Sequence, residues 1–188
     1  MIGNLSNAED YIRKLNLSIN QFIKLENFSY ALNLLSFAWE KGNGVYICGN
    51  GGSAAMAQHF ATDWSKGLFQ LHGIALKAIC LNTNSSLISA ISNDISYSHS
   101  FSTQIQMFAE TNDVLILISS SGESENIIEA AIAARNKNMK VLTLTGNNPH
   151  PDLVKNSNSI LKVQSDDIQI IEDTHNTFGH IFLKFMSN

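Results

Sequence analysis

The 188-residue chain is poor in cysteine, proline and charge. Cys48 and Cys80, its two cysteines, lie in separate apolar runs without CxxC spacing and read as reduced, buried thiols of a cytoplasmic protein. The two prolines, Pro149 and Pro151, stand together and mark one turn, not a linker between domains. Charged residues make up only 15%, the net charge is −4, and Lys and Arg cluster nowhere, so the footprint of a nucleic-acid partner is missing. No apolar run approaches the ~18 residues of a membrane span. The N-terminal MIGNLSNAEDYIRKLN has no apolar stretch of the kind a secretory signal needs. The low charge fraction points to outer surface that an oligomer covers.

What is present is hydrophobic content of 44%, enough for one buried core and one domain over residues 1–188. Tyr11, Ile12, Leu15, Ile19, Phe22 and Ile23 recur at helical spacing, and NFSYALNLLSFAWEKGNG predicts a second helix, capped at Asn27 or Ser29 and stopped by Gly42 and Gly44. These helices form an N-terminal extension over residues 1–42, packed on the domain and on an oligomer interface. Beyond it, strands and helices alternate: strand GVYICG, helix 52–66, strand 74–80, a helix near 84–91 and another over about 97–109. Strand DVLILIS, helix SENIIEAAIAARNKN, strands KVLTLTG and SILKV and a last helix, DIQIIEDTHNTFGHIFLKFM, follow. Five short apolar runs interleaved with helices predict an α/β fold with a parallel sheet covered on both faces.

In such a sheet, ligands bind beyond the carboxyl ends of the strands. Two strand-to-helix junctions there have unusual chemistry. Gly49-Asn50-Gly51-Gly52-Ser53 lets backbone N–H groups approach an oxyanion at a helix N-terminus. ISSSGESENI surrounds Gly122 with Ser119, Ser120, Ser121 and Ser124 at the start of another helix. Each loop also reads as a plain turn, since serines commonly cap helices. Two such loops in one chain favour a shared phosphate-ester site. A nucleotide cofactor fits less well. Gly49-x-Gly51-x-x-Ala54 matches the loose dinucleotide fingerprint, but IALKAICLNTN offers no acid for a ribose, and no Gly-Lys-Ser/Thr is present.

At these residues the chain resembles the sugar isomerase (SIS) domain family, and within it the phosphoheptose isomerase subgroup. CGNGGSAA followed by HFA, SSSGESEN, LTG and a His-bearing last helix carry the likeness. The resemblance implies a flavodoxin-like five-stranded parallel sheet and a homotetramer with sites shared between subunits. It further implies conversion of sedoheptulose 7-phosphate to D-glycero-D-manno-heptose 7-phosphate for surface polysaccharide. By resemblance, substrate contacts fall on Asn50, Gly51, Gly52, Ser53, Asn93 and Asp94, and the phosphate on Ser119, Ser120, Ser121 and Ser124. Metal-binding and catalytic positions fall on His59, Asp63, Glu172 and His180, of which the two histidines match zinc-binding ones. The family's pattern has Glu at the place of Asp63 and Gln at that of Glu172, so this chain belongs to a divergent branch.

Ketose–aldose isomerisation needs a base for a carbon-bound proton, an acid–base group for hydroxyl protons and an electrophile for the developing oxyanion. A divalent cation, zinc foremost, serves as that electrophile. His59 and Asp63 are i,i+4 and share a helix face. Glu172 and His180, eight apart, differ by roughly 80° around a helix of ~100° per residue, which places them on one broad face. Asp63 is one carbon–carbon bond, ~1.5 Å, shorter than Glu, so Glu172 competes with it as the base, with His180 as acid–base partner. His175, three residues after Glu172, is a rival site residue. Two other readings remain: an isomerase of a different phosphosugar, and a SIS module that binds a phosphosugar or a protein without catalysis. The retained histidines and carboxylates weigh against the second.

Overall fold

The computed structural model describes residues 5–187. Its order is α1 (Leu5–Phe22), α2 (Phe28–Lys41), β1 (Gly44–Gly49), α3 (Gly52–His72), β2 (Lys77–Cys80) and α4 (Ser85–Asp94). A 3-10 turn (Tyr97–His99), α5 (Ser102–Phe108), β3 (Val114–Ser119), α6 (Glu125–Asn136) and β4 (Lys140–Thr145) come next. The described chain finishes with α7 (Pro151–Asn156), β5 (Ser159–Lys162) and α8 (Ile168–Phe185).

All four strand pairings are parallel and the order is β2-β1-β3-β4-β5. That is the flavodoxin-like order. β1 and β3 are central, and their side chains alternate between two apolar layers, as a two-sided parallel sheet requires. Val45, Ile47, Ile116 and Ile118 meet Leu35, Phe60, Trp64, Phe178 and Phe182 on one face. Tyr46, Cys48, Leu115 and Leu117 meet Phe101, Ile105, Ile127 and Ala130 on the other. Cys48 and Cys80 are buried and unpaired, and burial pushes both thiols up, which keeps them protonated.

Several local readings change, and the strand expected over 74–80 is confined to Lys77–Cys80. The helix expected over 52–66 continues to His72, where Gly73 caps it in the left-handed conformation. The helix expected over 97–109 is a 3-10 turn and a separate α5. Pro151, read as part of a turn, is the first residue of α7, where its missing N–H costs no helical bond. Of the N-terminal helices, α1 lies along α8, with Tyr11 Oη donating to Asp173 Oδ2 at 2.6 Å and Ser18 Oγ 2.9 Å from Thr174 Oγ1. Their outward side leaves Ile12, Leu17, Tyr30 and Phe37 exposed.

Candidate functional site

The β1–α3 and β3–α6 loops emerge at the carboxyl ends of two adjacent interior strands, whose register pairs Gly49 with Ile118. At the first, Gly51 and Gly52 are exposed and Ser53 is buried. At the second, Ser119 Oγ accepts from Gly122 N–H at 3.1 Å and Ser121 Oγ accepts from Glu123 N–H at 3.2 Å. Gly122 has φ 70°, and a Cβ there would stand 2.6 Å from Pro149 Cβ, so this tight turn needs glycine. Ser124 is the N-cap of α6, and its hydroxyl makes no capping bond. A cavity of about 260 Å³ opens beside the loop between Ser120, Ser121, Asn147 and Asp166. The two loops touch directly. Asn50 Nδ2 donates to Asn126 Oδ1 at 2.8 Å, and Asn126 Nδ2 donates back to Asn50 Oδ1 at 2.9 Å.

A second group forms where α3 and α8 run side by side. Gly179 makes the approach possible: a Cβ there would lie 2.2 Å from the Phe60 ring. Trp64 Nε1 then donates to Gly179 carbonyl oxygen at 2.9 Å. The next residue, His180, consequently faces His59, with their Nε2 atoms 3.0 Å apart. Asp63 Oδ2 stands 3.5 Å from His59 Nε2 and 3.9 Å from His180 Nε2. All three side chains are partly open to solvent. Ligands 2.0–2.2 Å from a tetrahedral zinc stand about 3.3–3.6 Å from one another. Separations of 3.0, 3.5 and 3.9 Å bracket that spacing, and two imidazoles with a carboxylate are a fitting donor set.

Glu172 stands elsewhere. Its Oε1 is 3.2 Å from where a Cβ on Gly52 would be, so the carboxylate overhangs the glycine loop at the N-terminus of α3. Eight residues of helix separate it from His180 by about 12 Å along the axis. The chain therefore holds a three-residue group, His59, Asp63 and His180, and a separate cradle topped by Glu172. Asn93 and Asp94, at the end of α4, are exposed over an open depression shared with Ser85, Ser86 and Ser89. The contact from that segment to the cradle is made by Tyr97, whose hydroxyl donates to Asn50 Oδ1 at 2.9 Å. His175 is fully buried, its Nε2 3.3 Å from Thr145 carbonyl oxygen, and away from the exposed group. Sequence reasoning overlooked Asn126 and Tyr97. An asparagine in the first turn of a helix, at a position otherwise facing the core, was the available signal.

Residues 10–146 match the SIS domain family. Over 181 residues the chain is 38% identical to phosphoheptose isomerase of Helicobacter pylori, covering 96% of this chain and 93% of that one. It superposes on a phosphoheptose isomerase structure from Francisella tularensis with a TM-score of 0.90, at 28% identity and 99% coverage of both chains. For the Neisseria gonorrhoeae phosphoheptose isomerase the TM-score is 0.85, at 30% identity, covering 97% of this chain and 95% of that one.

Proposed function

The chain belongs to the SIS domain family, and from that premise we propose that it is a phosphoheptose isomerase. It interconverts sedoheptulose 7-phosphate and D-glycero-D-manno-heptose 7-phosphate in the cytoplasm, on the route to surface-polysaccharide heptose. The observation that carries this reading is the pairing of a hydroxyl- and glycine-lined cradle with an accessible His59–Asp63–His180 group in one chain. A module that only binds phosphosugar needs the first and has no use for the second.

The phosphate lies on Ser119, Ser120, Ser121 and Ser124 at the N-terminus of α6, where first-turn N–H groups and the helix dipole favour an anion. Asn50, Gly51, Gly52 and Ser53 hold the sugar against the N-terminus of α3, and Asn93 and Asp94 border it. Glu172, overhanging Gly52, takes the carbon-bound proton. His59, Asp63 and His180 hold a divalent cation, zinc, which when bound polarises the substrate's carbonyl oxygen. In this reading His180 is also the acid–base partner for the hydroxyl protons.

A base and an electrophile acting on adjacent carbons must lie within a few ångströms of one substrate. Glu172 and His180 of one helix are about 12 Å apart along its axis. We read the complete site as built from neighbouring copies, in the homotetramer that the likeness to phosphoheptose isomerases implies, with the exposed apolar side chains of α1 and α2 as interface. Among the described residues no helix is long and apolar enough to cross a membrane.

The test is proton NMR of sedoheptulose 7-phosphate in deuterium oxide with the purified protein, metal-free and with zinc. Metal-dependent aldoheptose 7-phosphate carrying deuterium at C2 is the expected result. Binding without turnover would move the assignment to another phosphosugar or to a non-catalytic module.

A further inference from the structure

Asn50 follows β1 directly, whereas Asn126 sits in the first turn of α6 and is 2% exposed. Their side-chain amides exchange two hydrogen bonds across the gap between the loops. Asn50 Oδ1 also accepts from the hydroxyl of Tyr97, and Asn126 Nδ2 reaches Ser100 Oγ at 3.4 Å. A carbonyl oxygen has two lone pairs, and here both are taken. The Asn50 side chain is thus fixed by the protein on both amide atoms, with one N–H left for the sugar. Three segments from different βα units meet on it: the glycine loop, the first turn of α6, and the 3-10 turn just after Asn93 and Asp94.

We infer that Asn126 and Tyr97 are positioning residues that act through Asn50, setting the spacing of the glycine loop and the serine loop around one phosphate ester. This inference rests on the phosphosugar reading of the site. Its physical basis is that β1 and β3 fix where the two loops begin, but nothing in the ladder fixes how far apart their tips stand. A reciprocal amide pair does so, because both bonds lose alignment when either loop shifts. Burial raises the stake, since an amide left without its partner there is costly. Tyr97 is half-exposed, with its ring at the surface and its hydroxyl turned back onto Asn50. It holds the amide pair from outside and links it to the segment that carries Asn93 and Asp94.

Tyr97→Phe keeps the ring and removes one donor. The expected result is a KM for sedoheptulose 7-phosphate raised about 3–10-fold, the loss of one hydrogen bond's worth of positioning. kcat should change less than about twofold and Tm by no more than about 1 °C. Asn126→Asp, which removes the donation to Asn50 and sets a carboxylate beside the phosphate loops, raises KM further. Hydrogen exchange on the substrate-free protein supplies the independent arm. In Tyr97→Phe, amides of residues 50–54 and 120–126 should exchange faster together while the central strands are unchanged. A lowered Tm with unaltered KM assigns Asn126 and Tyr97 to folding alone and overturns the inference. So does unchanged exchange in both loops. A wild type that never turns over the heptose phosphate overturns the phosphosugar reading, and the exchange arm still decides the coupling.

Discussion

The Nε2 atoms of His59 and His180 face each other at 3.0 Å, from helices that follow different strands. Two imidazole nitrogens at that distance either share one proton or share one cation. With Asp63 alongside, the cation is the better use of the pair. Removing one ligand should weaken zinc binding by more than about tenfold, since loss of a partner only one shell further out already costs that much. His59→Ala and His180→Ala should each lose metal on dialysis against a weak chelator, read by elemental analysis, with the fold intact by circular dichroism. Full zinc retention in both variants would dissociate the pair from metal.

Gly52 sits under Glu172, and the added methyl of Gly52→Ala would press on the carboxylate at 3.2 Å. A glycine-to-alanine change near a helix start is otherwise mild or stabilising. The expected outcome is an unchanged or slightly raised Tm together with a kcat at least about tenfold lower, the scale of a displaced general base. Glu172→Gln should lower kcat further, by about 10²–10⁴, with substrate still bound. Activity kept in both would shift the base role to Asp63.

Much of this arrangement was legible in the residues, for reasons that can be named. β1 and β3 are apolar on both faces, so VYIC and VLILI read as central strands without any contact information. The two loops stood out because glycines and serines cluster at two strand ends, although the same residues also make plain turns and helix caps. Pro151 misled because the same residue serves a turn and the first position of a helix. Glu172 and His180 were placed on one helix face by angle alone; the ~12 Å of helical rise between them puts Glu172 over Gly52 and His180 beside His59 and Asp63. The Asn50–Asn126 pair depends on two loops brought together by the sheet, and no local pattern announces it.

If base and cation group come from neighbouring copies, two crippled chains should repair each other. Glu172→Gln supplies a normal His59–Asp63–His180 group, and His59→Ala supplies a normal Glu172. Each should be inactive alone. Unfolded and refolded together, they should recover a fraction of wild-type activity that rises with the share of mixed tetramers. Light scattering of the unmixed protein should give the mass of four chains. A mixture as inactive as its parts would overturn the shared-site reading and place the whole site within one chain.

His175 makes a pH prediction that is independent of the active site. It is fully buried between α8 and β4, and burial pushes its pKa down to about 4. In the unfolded chain an imidazole titrates near 6.5. Between these values the unfolded state binds the extra proton, so stability falls as the pH is lowered from about 6.5 towards 4. A shift of that size corresponds to stability on the order of 3 kcal/mol, present above the unfolded value and lost through this window. His175→Leu removes the titrating group. The Thr145 carbonyl oxygen keeps its bond from Val163 N–H at 2.8 Å, so no acceptor is orphaned. Thermal melts from pH 7.5 to 4.5 should show a steep fall of Tm for the wild type and a shallower one for the variant. Two parallel curves would mean that the acid sensitivity of the fold resides in other groups.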